Sequence, residues 1–350
     1  MVELNVGVVG CGEVANGHIN AWKKVNKAKL LAVSDINLEL AKNMAGKWGI
    51  PKSFASLTEM LNSIDINVVD VCTPPHTHKA IAVEAMEKGV NVVLEKPMTM
   101  TTEDGEAIVD VQKKQGVKAG VIHNWLFETP IINAASLMKR GDLGELLSVE
   151  VEAVNTKFDF MTSHKEHWSH KSPGGRFGEM LAHPIYLIRH FLGGEITIEN
   201  IQVAKLGEYP WMKSDELTAL FRVGRKMGRA YASFNAPRNS IYVSLYGKEA
   251  IVKLDIINAT MLKLDRRSVG AWDLGSDSIG QAFQVFGATF KNAGMRIANR
   301  WASGHDNYIQ LFADSLINNG APPVSVEEGL KVVRHVENAC KIIEKIENES

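Results

Sequence analysis

Over the first 120 or so residues, short apolar runs alternate with amphipathic stretches. The runs Asn5–Val9, Lys29–Ser34, Val68–Cys72, Asn91–Leu94 and Lys118–Ile122 are rich in Val, Ile or Leu and predict strands. Between them Val14–Val25, Leu38–Lys47, Leu57–Asn62, His76–Lys88 and Glu103–Lys114 predict helices. Asn37 stands where one helix should start, and Gly89 and Gly116 where two others should stop. Strands apolar on both faces suit a parallel sheet covered on both sides. The βαβα order makes that sheet open and doubly wound.

The pattern then changes. Pro130–Lys139 predicts a helix and Leu146–Val154 a half-exposed strand. A loop rich in His, Ser, Lys and Gly follows over Thr162–Gly175, then an apolar helix over Phe177–Leu192. Strands are expected at Ile196–Lys205, Glu216–Arg222, Gly228–Phe234, Ser240–Gly247, Ile251–Leu254 and Thr260–Leu264, with hairpin turns between several of them. Residues 268–300 read as Gly-rich and irregular, and helices are expected at Asp306–Asn318 and Val326–Glu347. The reading is an α/β chain of two domains. A doubly wound domain covers 1–123. An α+β domain with a large, mostly antiparallel open sheet covers 124–350, its last helix able to pack back on the first domain.

Composition narrows the classes. The 350 residues suffice for about two domains. Thirty-nine Lys and Arg against forty Asp and Glu leave a net charge of −1, and no basic run appears, so nucleic acid and anionic membranes are not expected partners. Cys11, Cys72 and Cys340 form no CxxC pair, which argues against a disulfide framework and a thiolate zinc site. With no basic leader and no apolar run near the roughly 18 residues of a membrane span, a cytoplasmic location is expected.

The sharpest motif is Gly10-Cys11-Gly12-Glu13-Val14-Ala15, directly after the first strand and opening the first helix. This is the GxGxxA dinucleotide fingerprint of a Rossmann domain. Gly10 allows the tight turn, Gly12 lets backbone approach a pyrophosphate, and Ala15 lets helix and strand pack closely. The helix N-terminus offers N–H groups to phosphate. Asp35 follows the second strand, where a carboxylate accepts the adenosine ribose hydroxyls and repels a 2′-phosphate. Ile36 places no cation for that phosphate, so NAD is expected over NADP.

Two further segments close strands on the side where open sheets bind ligands: Cys72-Thr73-Pro74-Pro75-His76-Thr77-His78 and Glu95-Lys96-Pro97. Lys96, stiffened by the proline, is placed to polarise a substrate oxygen. Later, Gly174-Gly175-Arg176 forms a loop that admits close approach, and Glu179 and His183 stand at i and i+4. A carboxylate holding one imidazole nitrogen would leave the other to exchange a hydroxyl proton. Pro184 cannot donate to residue 180 and marks a kink or a start there.

The combination of GxGxxA, TPPxxH, EKP and the glycine-rich segment ending in acid-x3-His resembles the glucose–fructose oxidoreductase/inositol dehydrogenase/MocA family over essentially the whole chain. The resemblance implies NAD(P)-dependent dehydrogenation of sugars, polyols or nucleotide sugars, and a homodimer or homotetramer built through the C-terminal sheet. It implies that Lys96 is the catalytic lysine, with His183 as acid/base and Glu179 as its acid. Gly10, Cys11, Gly12, Glu13, Val14, Ala15, Asp35, Ile36, Thr73, Pro74, Pro75, His78, Glu95 and Lys96 are then expected to face the cofactor. Asn124, Trp125, His167, Trp168, Arg176 and His183 would face substrate, with Trp168 able to stack on a sugar. Three histidines recur at His164, His167 and His170, yet no metal is assigned. The chain departs from the family in having Glu179 for the usual Asp, Tyr186 for another Asp, and Trp125 or Leu126 for a customary Arg. Two alternatives stay open: NAD-assisted glycosidic cleavage or epimerisation, and a dinucleotide-sensing regulator.

Overall fold

The computed structural model describes residues 3–266, 270–298 and 300–349. The chain divides into two compact units, Met1–Asn124 with Ala302–Glu337, and Trp125–Trp301 with Asn338–Ser350.

In the first unit the apolar runs become strands and the stretches between them helices. The order is β1 (Leu4–Val9), α1 (Ala15–Trp22), β2 (Ala28–Ser34), α2 (Leu38–Trp48), β3 (Lys52–Phe54), α3 (Leu57–Ser63), β4 (Val68–Val71), α4 (His78–Glu87), β5 (Asn91–Leu94), α5 (Thr102–Gln115) and β6 (Ala119–Val121). The strands form one parallel sheet in the order β3-β2-β1-β4-β5-β6, the doubly wound arrangement whose order reverses between β1 and β4. Caps fall where side chains can supply them: Asn37, Ser56 and Thr101 accept helix N–H groups, and Gly49 and Gly116 end helices in the left-handed region. Val8, Ala15, Ile19, Val33 and Ala41 fill one core cluster; Met60, Val69, Met86, Val92, Leu94, Ile108 and Val121 fill the other. Each Val, Leu, Ile or Met side chain among them contributes about 1.5–3 kcal/mol by leaving water. Sequence reading missed β3, because Lys-Ser-Phe at a sheet edge carries no apolar run.

The second unit holds α6 (Thr129–Lys139), β7 (Leu146–Thr156), α7 (Phe160–Ser163), α8 (Arg176–Met180), α9 (Ala182–Leu192), β8 (Thr197–Ala204), β9 (Glu216–Val223), β10 (Lys226–Ala236), β11 (Ser240–Gly247), β12 (Ala250–Asp255), β13 (Thr260–Asp265) and α10 (Ala271–Ile297). Its sheet runs β13-β12-β11-β7-β10-β9-β8, antiparallel except for β7 beside β10. Alternation sorts the faces. Val149, Val151, Ala219, Ala230, Ala232 and Val243 are buried on the side where α9 packs. A Cβ on Gly228 would lie 2.8 Å from Ile188, so glycine there permits the close approach of α9. Opposite them Glu150, Arg229 and Tyr246 form a polar, ion-paired face. Helix α11 (Gly304–Ile317) belongs to the first unit and packs on α1, and α12 (Val326–Glu349) ends the chain.

Three expectations are corrected. The apolar stretch 177–192 is not one helix but two, α8 and α9, meeting at Leu181. Pro184 has no N–H for the Met180 carbonyl, so the ladder is interrupted at that point. The loop 162–175 contains the end of α7 and a 3-10 turn at Trp168–Lys171. Of the stretch 268–300, residues 268, 269 and 299 lie outside the described residues, and the rest are not irregular. Most of them form α10, a helix built in spite of glycines that each cost about 1 kcal/mol relative to alanine.

Candidate active site

The glycine turn is shaped to leave a surface for a dinucleotide. Gly10 has φ +94°, and a Cβ there would sit 2.8 Å from the Cys72 carbonyl carbon and 2.9 Å from the Thr73 methyl. A Cβ on Gly12 would meet nothing within 4 Å, so that backbone is open toward the side where a phosphate would approach. Ala15 is fully buried, and no side chain caps the start of α1. Asp35 braces the turn, accepting the Cys11 N–H at 2.9 Å and the Asn37 N–H at 2.8 Å. Ile36 beside it is exposed. Burial, and then Asp35, pushes the Cys11 thiol up to about 12, so it stays protonated. These features fit NAD: the α1 N-terminus and Gly12 for its diphosphate, and Asp35 for its ribose.

Behind the turn lies a buried polar chain. Both ring nitrogens of His18, on α1, face carboxylates: Nδ1 lies 2.9 Å from Asp70 and Nε2 2.8 Å from Glu95. Trp22 donates its indole N–H to Asp70 at 2.7 Å, and His305 Nε2 approaches Glu95 at 3.2 Å. Burial opposes charge on His18, but Asp70 outweighs it and holds the imidazole pKa well above its ordinary range. Burial likewise opposes ionisation of Glu95, yet the hydrogen bonds from His18 and His305 hold its carboxyl well below the usual carboxylate range. The second oxygen of Glu95 accepts the Lys96 backbone N–H at 2.9 Å, so the chain ends on the residue that carries the expected lysine. Glu95 is therefore a buried brace under Lys96, which is itself half-buried.

His78 is fully buried, its nitrogens 2.7 Å from the Thr73 carbonyl oxygen and 3.1 Å from that of Met98. It ties the Thr73-Pro74-Pro75 turn to the loop after Lys96. Burial pushes its pKa down.

In the second unit His183 is buried at the start of α9. Its Nδ1 lies 2.7 Å from the Tyr186 hydroxyl, which also accepts the Trp125 backbone N–H at 3.1 Å. The Trp125 ring stacks on the imidazole, centroids 3.8 Å apart and planes within 13°. Glu179 lies on α8 rather than on the helix of His183 and pairs with Arg176 at 2.8 Å. Arg176 is buried too, with Asp159 at 3.7 Å and the Phe234 ring under its guanidinium. Its Nε and Nη2 make no hydrogen bond among the described residues. His167 caps the 3-10 turn by accepting the Ser169 N–H, and Trp168 lies beside it, ring centroids 5.3 Å apart. Asn124 opens a second 3-10 turn, Asn124–Phe127.

Comparison with known proteins decides the family. The profile described as "Oxidoreductase family, NAD-binding Rossmann fold" matches residues 4–123, and that of the GFO/IDH/MocA C-terminal domain matches 131–253. The chain belongs to the GFO/IDH/MocA oxidoreductase family. Oxidoreductase P35 of Formosa agariphila is 26% identical over 74% of this chain and 81% of its own length. Levoglucosan dehydrogenase of Pseudarthrobacter phenanthrenivorans is 27% identical over 60% of this chain and 56% of its own, and inositol 2-dehydrogenase of an Arthrobacter species 29% over 58% of each. The chain thus spans little more than half the length of the latter two. Among solved structures, levoglucosan dehydrogenase with NADH and levoglucosan superposes with a TM-score of 0.78 at 19% identity, covering 99% of this chain and 98% of that one. The WlbA dehydrogenase of Bordetella pertussis, with NADH and UDP-GlcNAcA, gives 0.77 at 20% identity, covering 97% and 95%.

Within this GFO/IDH/MocA oxidoreductase the first domain is the NAD-binding one. Sequence reading missed its buried brace. The signal was present: Asp70 interrupts the otherwise apolar Val68-Val69-Asp70-Val71, and His18 shares a helical stripe with Ala15, Ile19 and Trp22. A charge in a buried strand requires partners. No helix among the described residues is long and apolar enough to cross a membrane.

Proposed function

We propose that this protein is an NAD-dependent dehydrogenase of a carbohydrate-like secondary alcohol, a sugar, polyol or nucleotide sugar. The observation that carries the reading is the fixed imidazole of His183, held at Nδ1 by Tyr186 and across its face by Trp125. In this reading His183 takes the hydroxyl proton at Nε2, and the Lys96 ammonium polarises the same oxygen. Glu179, neutralised in part by Arg176, is a positioning residue for the start of α9. Asn124, Trp125, His167 and Trp168 line the substrate side. Bound NAD supplies the hydride acceptor. Asp35 selects it over NADP, because a second negative group beside a carboxylate is disfavoured. The relatives named for levoglucosan and inositol support the substrate class.

The test is a panel of sugars, polyols and nucleotide sugars with NAD and NADP in parallel, followed at the reduced-nicotinamide absorbance. Substrate-dependent NADH formation is expected. No turnover with any alcohol, together with no heat of NAD binding, overturns the reading. Sugar release without net NADH would move the assignment to NAD-assisted cleavage.

A further inference from the structure

Two imidazoles converge on one carboxylate oxygen behind Lys96. His18 of α1 brings its Nε2 to 2.8 Å from Glu95 Oε1, and His305 of α11 brings its Nε2 to 3.2 Å from the same atom. These donor atoms all lie within 4.8 Å of one another. They come from α1, from the end of β5 and from α11, all in the first unit. The other nitrogen of His18 is already committed. Nδ1 lies 2.9 Å from Asp70, whose carboxylate also takes the Trp22 indole N–H at 2.7 Å. Glu95 likewise gives its second oxygen to the Lys96 backbone. His18 and Glu95 are thus each oriented from behind and present one atom to a shared point.

We infer that His18, Glu95 and His305 form a binding site for a divalent transition metal of the zinc class. Imidazole nitrogens beside a carboxylate oxygen suit such ions. Ligand atoms about 2.0–2.1 Å from a tetrahedral zinc stand about 3.4 Å apart, so the pairs at 2.8 and 3.2 Å need open by roughly 0.6 Å at most, while the two nitrogens close toward each other. Asp70 on the far nitrogen of His18 completes the carboxylate–histidine–metal arrangement that fixes a ligand ring and raises its basicity. Charge points the same way. Asp70 and Glu95 are both buried carboxylates. One imidazolium balances one of them, and a divalent ion between neutral rings balances both. Binding replaces the Nε2 proton of each ring, and the protons pass to solvent. The His305 side chain, 22% exposed, is the side from which an ion enters. The neighbouring set His18, Asp70 and Cys72 is buried throughout and has Asp70 already held by Trp22. An ion at the first set ties α1 and α11 to the end of β5 and braces Lys96 through Glu95. The site needs neither cofactor nor substrate, so it stands or falls apart from the dehydrogenase reading.

The experiment titrates the full chain, stripped with EDTA and dialysed, with cobalt(II), followed by its visible d–d absorption. One equivalent should develop the bands, zinc should bleach them, and zinc should raise the melting temperature. His305→Ala should lose both the bands and the rise while keeping the wild-type circular dichroism. His305→Gln, which keeps a donor toward Glu95 but is a poor ligand, should do the same even where alanine unfolds the chain. His164→Ala/His167→Ala, in the histidine-bearing loop, should leave both signals as in the wild type. No bands at one equivalent, with a melting temperature that zinc does not move, overturns the inference. Bands that survive both His305 variants overturn it too, as do bands lost in His164→Ala/His167→Ala, which would place the ion on that loop.

Discussion

The His183 imidazole rests on the Tyr186 hydroxyl at 2.7 Å, one turn along the same helix. A phenol both donates and accepts, so it matches either neutral tautomer of the ring without adding the charge a carboxylate would bring. Removing it in Tyr186→Phe should lower kcat about tenfold, the worth of one oriented hydrogen bond. Tyr186→Asp should move the acid limb of the kcat/KM profile to higher pH, because a nearby anion favours the imidazolium. The two variants, compared across pH, separate positioning from charge. An unmoved limb in Tyr186→Asp removes His183 from the role of base.

Lys96 is held through its own backbone by buried Glu95. Lys96→Ala should cut kcat at least about a hundredfold, as loss of an oxyanion-type donor does. NAD affinity by calorimetry should stay within a few-fold. Parental turnover in K96A would show that the ammonium takes no part.

In the proposed reading Asp35 and exposed Ile36 set the choice of cofactor. Asp35→Asn keeps an acceptor for the Cys11 N–H, and Ile36→Arg supplies a cation for a 2′-phosphate. The double variant should raise the NADP/NAD ratio of kcat/KM at least about tenfold, since like-charge juxtaposition costs more than 1.4 kcal/mol. Dissociation constants for both cofactors check this independently of any substrate.

The two glycines of the turn should fail in different ways. Gly10→Ala places a Cβ against the Cys72 carbonyl at a backbone angle that side chains rarely adopt, so it should lower the melting temperature. Gly12→Val meets open space and should melt like the wild type while losing NAD binding. Loss of stability in G12V, or normal binding by it, would contradict the placement of the diphosphate.

His18 between Asp70 and Glu95 makes stability depend on pH at both ends. The carboxyl of Glu95 is depressed in the fold, so its contribution is present above the ordinary carboxylate range and is lost as pH falls through its lower folded value. The imidazole of His18 is raised, so its contribution is complete below 6.5 and is lost as pH rises through its higher folded value. Denaturant midpoints across pH should therefore fall away on both sides. His18→Ala leaves two buried carboxylates without their cation and should cost about 3–5 kcal/mol. It should also flatten the alkaline arm; an alkaline arm that H18A retains would place its source elsewhere.

Periodicity and punctuation placed most of the strands and helices. These signals act over a few residues, and Asn37, Gly49 and Gly116 cap where the chain itself supplies the group. Helix α10 escaped because its outward apolar stripe and its glycines imitate an irregular segment. The division at Leu181 was foreshadowed by Pro184, but the i, i+4 spacing of Glu179 and His183 suggested one continuous face.

By itself the sequence determined the doubly wound first domain, the glycine turn that opens its first helix and the family, because a glycine's permitted φ and a strand's apolar run are local properties. Only the tertiary structure decided that His183 leans on Tyr186 under Trp125, that Glu179 turns to Arg176, and that His18 joins Asp70 and Glu95. Those partners stand as far as 77 positions apart in the chain. Which of several carboxylates or hydroxyls a buried group meets depends on how helices and strands pack, since most buried polar atoms bond whatever partner lies within about 3 Å of where packing leaves them.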